Sequence, residues 1–264
     1  LVQNNELAVS NVVGSNIFNL MFVIGVCSIL TPIMVQKATV VRDIPLSLGC
    51  ALLLLVLGIS GLGDKAGMTL GHADGIIFLI VFAGYIFTMV RSAMKARAAG
   101  QKVEIEGVEE CDNMKELSYG KSILFLIVGA AAIAFGGDLT VDTASRIAIE
   151  LGMSQTLVGL TIVSIGTSLP ELVTSVVAAR KNEVDMAVGN AVGSNIFNIL
   201  MVLGISSAIS PVALIRENLI DIVLLMVFSV MVWIFAGTRK KIERKEGIIM
   251  VVVYLVYCAY IIAR

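Results

Sequence analysis

Residues 11–19 read NVVGSNIFN and residues 190–198 read NAVGSNIFN, so one nonapeptide recurs at an offset (190 minus 11) of 179 inside two apolar segments. The same register pairs Ala8 with Ala187, Gly25 with Gly204, Ser28 with Ser207 and Pro32 with Pro211. A chain that repeats itself over this span is restricted to duplicated architectures, and the duplicated residues are the first place to look for function. The register also points beyond the chain. Glu171 closes the segment SIGTSLPE (164–171) and maps to position −8, ahead of Leu1. The chain does not begin with Met, a basic segment or a small-residue cleavage site, so the expectation is of an N-terminally truncated sequence lacking about two helices.

The setting of the repeat is a membrane. Hydrophobic residues make up 58% of the chain and charged residues 15%, against roughly half and about a quarter in soluble domains. The apolar residues fall into runs near 8–31, 44–63, 75–90, 121–136, 156–179, 186–209, 219–236 and 247–263. Each is close to the length that crosses a bilayer, some with their flanks included. The expected fold class is therefore an all-α membrane protein with about eight transmembrane helices. A soluble protein with several buried helices is the alternative, but apolar stretches of this length are hard to hide from water.

Eight crossings divide the 19 Lys and Arg residues into 15 on one side and 4 on the other. The larger group runs from Lys37 and Arg42 through Arg91–Lys121 and Arg180–Lys181 to Arg239–Lys245; the smaller is Lys65, Arg146, Arg216 and Arg264. Positive charge stays inside, so the 15 are expected in the cytoplasm and both ends of the chain outside. This count also inverts the repeat: the helix at 8–31 runs inward and its twin at 186–209 runs outward. Inverted repeats are the usual build of secondary transporters, with substrate held near the midplane.

The expected division is an incomplete N-terminal half (1–91, three helices), a linker (92–120) and a complete C-terminal half (121–264, five helices). The linker carries Glu104, Glu106, Glu109, Glu110, Asp112 and Glu116 against four basic residues, Lys95, Arg97, Lys102 and Lys115. It fits no EF-hand spacing and reads as a solvated cytoplasmic connection. Cys27, Cys50, Cys111 and Cys258 form no CxxC pair and imply no disulfide framework.

Chemistry concentrates at Glu171, read as the only acidic residue deep inside an apolar run. An ionised carboxylate at mid-membrane costs about 2.5–3.5 kcal/mol even on lenient scales, so such a residue is a functional candidate by default. Thr167 at i−4 and Ser168 at i−3 are expected on its helix face. Pro170 lacks an N–H and crowds the carbonyl four residues earlier, which frees the oxygen of Gly166 and kinks the helix. Carboxylate, hydroxyls and backbone carbonyls together suit a hard cation such as calcium or sodium. In GSNIFN the Ser and the last Asn are four apart, so Ser15 with Asn19, and Ser194 with Asn198, each offer a hydroxyl and an amide oxygen on one face. The competing reading is that these residues only bind helices together by hydrogen bonds.

The segments GTSLPE and GNAVGSNIFN, with GSNIFN again in the other half, resemble the alpha-repeats of the calcium:cation antiporters, a family that includes the sodium/calcium exchangers. The resemblance covers essentially the whole chain and implies helices three to ten of a ten-helix inverted-repeat exchanger. It implies that Glu171, Thr167 (through its carbonyl), Ser168, Ser194 and Asn198 line the ion sites from one repeat and Ser15 and Asn19 from the other, with Ser164 adding a backbone oxygen. It also implies that 121–150 is the tilted helix that slides during alternating access. The expected cargo is calcium against sodium or protons, with no cofactor, no nucleic-acid partner, and a monomeric transport unit in the bilayer of the cell membrane. Two departures from the family pattern stand out. A GTSxPE segment is missing from the first half, so the chain as written is expected not to transport. Sodium-coupled members often carry Asp at one of the positions held here by Asn19 and Asn198, whereas proton-coupled members commonly have Asn at both, which leaves the coupling ion open.

The alternatives are a passive cation channel lined by the same oxygens, a transport-inactive fragment, and an intramembrane enzyme using Ser168. The last needs a base, and the only His, His72, falls in a short external loop. The protein is accordingly not expected to be an enzyme.

Overall fold

A bilayer offers no water to unpaired N–H and C=O groups, so an apolar chain that crosses it must close its backbone hydrogen bonds within helices. The computed structural model describes residues 2–60, 68–98, 118–153, 158–181 and 184–264, and these are overwhelmingly helical. Helix α1 covers 2–30 as Val2–Ile17, a π-helical turn Phe18–Val23 and Ile24–Leu30. Helix α2 covers 39–60, opening with a π turn at Thr39–Asp43. Helix α3 is His72–Ala98 and α4 is Tyr119–Glu150. Helices α5 (159–167) and α6 (Leu169–Arg180) form one broken span, bent by 48°. Helix α7 covers 184–209 as Val184–Phe197, a π turn Asn198–Leu203 and Gly204–Ile209. Helices α8 (Arg216–Arg239) and α9 (Arg244–Ala263) complete the chain.

Seven of these helices are long and apolar enough to cross a membrane, and the broken pair makes eight, the expected number. The boundaries differ in two places. Helix α3 continues to Ala98, into the segment read as linker, because 92–98 is rich in Ala, Met, Lys and Arg, all strong helix formers. Helix α4 extends its apolar run of 121–136 to Glu150. Residues 99–117, the rest of the linker, lie outside the described residues.

Two short antiparallel strand pairs, absent from the sequence reading, reveal the topology. Strand β1 (Ile33–Met34), after α1, pairs with β4 (Lys241–Ile242), between α8 and α9. Strand β2 (Thr69–Leu70), between α2 and α3, pairs with β3 (Val212–Ala213), after α7. Because α2 separates β1 from β2, the ends of α1 and α7 lie at opposite faces of the bundle. The repeat is therefore inverted, and the basic residues Lys37, Arg42 and Arg239–Lys245 share the β1/β4 face.

The halves are interlocked. A Cβ on Gly247 of α9 would sit 2.7 Å from the carbonyl oxygen of Gly25 in α1. The mirrored contact has Gly75 of α3 against α7, where a Cβ would meet the Ala208 nitrogen and lie 2.6 Å from the Gly204 oxygen. Each repeat helix is thus clasped by the last helix of the other half, through small residues that let backbones approach. Polar bonds reinforce this: buried Asn218 of α8 donates to Ser10 of α1 at 2.7 Å.

Glu171 is not the only acid the fold withdraws from solvent. Asp221 of α8 is 2% exposed and takes a bidentate bond from Arg264 at 3.0 and 2.7 Å. Asp74, fully buried, caps α3 by accepting the Gly71 N–H at 2.8 Å. Both lie in the first two turns of a helix, where hydropathy blends into a loop and hides them from a reading of apolar runs.

Gly75→Val and Gly247→Val are each expected to destabilise the protein by about 1–3 kcal/mol, seen as a lower melting temperature in detergent. Gly49→Val, whose Cβ meets nothing within 4 Å, should leave melting nearly unchanged.

Candidate functional site

The two GSNIFN segments cross at the centre of the bundle, and the crossing is held by side-chain amides. Asn16 Nδ2 donates to the Asn195 carbonyl oxygen at 3.2 Å, and Asn195 Nδ2 donates to the Asn16 carbonyl oxygen at 3.0 Å. A backbone carbonyl only accepts, so these two bonds fix both amides with Oδ1 turned the other way. Those oxygens accept from the next pair: Asn19 Nδ2 donates to Asn195 Oδ1 and Asn198 Nδ2 to Asn16 Oδ1, both at 3.1 Å. The four bonds form two equivalent sets under the 179-residue register, placing a pseudo-two-fold axis between Asn16 and Asn195. Asn19 spends its donor on this network, and its Oδ1 is buried with no hydrogen-bond partner among the described residues. Asn19 and Asn198 lie in the opening residues of the π turn of their repeat helices, an irregularity common at functional positions.

Beside the crossing lies the break between α5 and α6. Ser168 has φ −102° and ψ 6°, outside the helical range, and Pro170 stands in the first positions of α6. The missing proline N–H matters little there, since first-turn donors have no intrahelical partner in any case. Glu171 follows in the same turn, where the positive end of the helix dipole favours a carboxylate. Its Oε1 accepts from Ser194 Oγ of α7 at 3.0 Å, and its Oε2 is buried without a partner among the described residues. Asn190 Nδ2 fastens α6 to α7 by donating to Thr174 Oγ1 at 3.0 Å and Ser175 Oγ at 3.3 Å.

The break corrects one expectation. Thr167 and Glu171 do not share a continuous helix face, because the chain turns between them at Ser168. Thr167 ends α5 and faces the other repeat: its hydroxyl, with one proton to give, lies 2.8 Å from Ser15 Oγ, 3.1 Å from Ser164 O and 3.4 Å from Asn11 Oδ1. Ser15 Oγ in turn donates to the Ser164 carbonyl at 3.0 Å. All eight residues singled out from the sequence therefore lie at the crossing or the adjoining break. Ser15, Ser164 and Thr167 form one cluster; Glu171 and Ser194 a second; Asn19 and Asn198 flank the axis; Ser168, 1% exposed, is the break itself. Three participants were missed: Asn16, Asn195 and Asn11. Asn16 and Asn195 were legible in principle, as identical polar residues inside both copies of an apolar nonapeptide.

Helix α4 packs against α5 and α6 on both sides of the break. Its Val141 lies directly over Gly166, and Gly137 comes within 3.9 Å of the Gly166 oxygen measured from the position of an added Cβ. Otherwise α4 is the least buried of the spans.

Comparison with known proteins agrees with this geometry. The family model for sodium/calcium exchanger protein matches residues 1–91 and 121–263. The chain belongs to that family. A protein provisionally assigned as antiporter CaxA from Alkalimonas amylolytica is 34% identical over 257 residues, covering 96% of this chain and 77% of that protein. The sodium/calcium exchanger MaX1 of Methanosarcina acetivorans is 29% identical over 279 residues, covering 97% of this chain and 80% of that protein. A solved structure of the sodium-calcium exchanger NCX_Mj superimposes with a TM-score of 0.75 at 31% identity, over 97% of this chain and 78% of the other. The exchanger fold expected from the sequence is thus the fold observed, and the protein is a cation antiporter of the membrane.

Gly166→Ala is expected to push α4 off the break through Val141 and to lower transport and melting temperature together. Restoring both with Gly166→Ala/Val141→Ala would show that this single contact is responsible.

Proposed function

We propose that the protein exchanges calcium for sodium or for protons by alternating access, with the ions bound at the crossing of the inverted repeats. Glu171, Ser194, Asn198, Ser168, the Thr167 carbonyl and the Ser164 backbone oxygen line the sites from one repeat, and Ser15 and Asn19 from the other. The observation that carries this reading is the Glu171 carboxylate, oriented through Oε1 by Ser194 while Oε2 is buried and has no partner among the described residues. A desolvated anionic oxygen is costly unless a cation meets it. The Asn19 Oδ1 orphan on the other repeat is a neutral acceptor with the same need. Oxygen ligands of mixed charge at a helix break suit calcium and sodium, and one carboxylate whose charge is shared among hydroxyls and amides can release what it binds. Sliding of the weakly packed α4 across Gly166 supplies the alternation. The transport unit is a monomer, the membrane that of the cell, and the 92–120 linker cytoplasmic.

In proteoliposomes of the purified protein, calcium uptake should follow an imposed sodium or proton gradient, and each gradient applied alone separates the two couplings. Glu171→Gln should reduce uptake by roughly a hundred-fold or more. Flux indifferent to both gradients would overturn the exchange reading. For orientation, a membrane-impermeant maleimide should label Cys111 in inside-out vesicles and not in intact cells, since Cys27 and Cys50 are buried and Cys258 is half-buried in α9.

A further inference from the structure

We propose that Asn16 and Asn195, which bind no ion themselves, are positioning residues that dictate which atom Asn19 and Asn198 present to the ions. The inference rests on the exchange reading above and extends it to residues outside the ligand set. Three observations carry it. Asn16, Asn19 and Asn195 are fully buried, so no water can replace the bonds among them. The two central amides are oriented by backbone carbonyls, acceptors that cannot exchange roles with a donor. Their oxygens then demand a donor from position 19 and from position 198, and both positions supply Nδ2.

The consequence is a selection of chemistry at the ligand positions. With Nδ2 committed, Asn19 and Asn198 can offer only Oδ1 to a cation, and neither amide can flip to present N–H groups that would repel it. For Asn19 the oxygen left over is the buried orphan. A carboxylate at 198 would set an acceptor against Asn16 Oδ1, an arrangement the network opposes. The amides found at 19 and 198 are therefore what the crossing asks for. Each positioning residue acts on the ligand of the opposite helix: Asn16 of α1 on Asn198 of α7, and Asn195 of α7 on Asn19 of α1. A change at one half-site is felt in the other through two hydrogen bonds.

The test is a double-mutant cycle read as the calcium dissociation constant of the purified protein. In the native background Asn16→Leu releases the Asn198 amide and should weaken calcium binding about ten-fold. In the Asn198→Asp background the same substitution removes the opposing oxygen and should tighten calcium binding several-fold. A purely structural role for Asn16 would weaken binding in both backgrounds, and that result overturns the proposal. The mirrored cycle, Asn195→Leu with Asn19→Asp, should reverse sign in the same way. Where the leucine variant is not monodisperse, Asn16→Ala or Asn195→Ala removes the same oxygen and takes its place. Native protein that binds no calcium, or binds it equally well as Glu171→Gln, would instead sink the exchange reading itself.

Discussion

Helices already inside a bilayer gain little from hiding apolar surface, because lipid tails are as apolar as leucine. What holds this bundle together must therefore be close backbone approach and hydrogen bonds between helices. Both are arranged by the repeat. Gly25 and Gly204 bring each repeat helix against a glycine of the opposite half, and Asn16 and Asn195 tie the two repeat helices to each other. The central bonds are symmetric because the residues that make them are copies. An internal two-fold gives every favourable contact twice for one set of sequence requirements.

The same economy explains how the site sits in the fold. A break in a membrane helix is tolerable only where other groups satisfy the freed backbone. Here Ser15 supplies one such group by donating to the Ser164 carbonyl across the repeat boundary. The irregular segment lies against the most buried helix, α1, and carries its carboxylate in the first turn of α6, where the dipole helps to hold it. Helix α4 packs on both sides of the break, with Val141 over Gly166, and is otherwise largely exposed.

Much of this was legible in the residues. Apolar runs marked the eight candidate spans, and the nonapeptide marked the inversion and the crossing of the two repeat helices. The limits were physical. Hydropathy marks where a helix is bathed in lipid rather than where its hydrogen bonds stop, so α3 and α4 ran longer than their apolar cores. Helical spacing placed Thr167 on the face of Glu171, but Pro170 began a new helix instead of kinking an old one, and Thr167 turned to Ser15. The roles of Asn16 and Asn195 needed the partner helix in view, because one strand of sequence cannot show which amide faces which carbonyl. Asp221 was overlooked for a similar reason: its partner, Arg264, is 43 residues away.

The clasping of each repeat helix by the last helix of the other half bears on how such a chain is made. Helices enter the membrane in order, so α1 waits with its Gly25 surface open until α9 arrives to cover it. During synthesis the first half is a set of inserted but unlocked helices whose central amides face lipid or one another. Loss of α9 would thus uncover the Gly25 face of α1 while leaving the Gly75–Gly204 clasp and the central amide bonds in place.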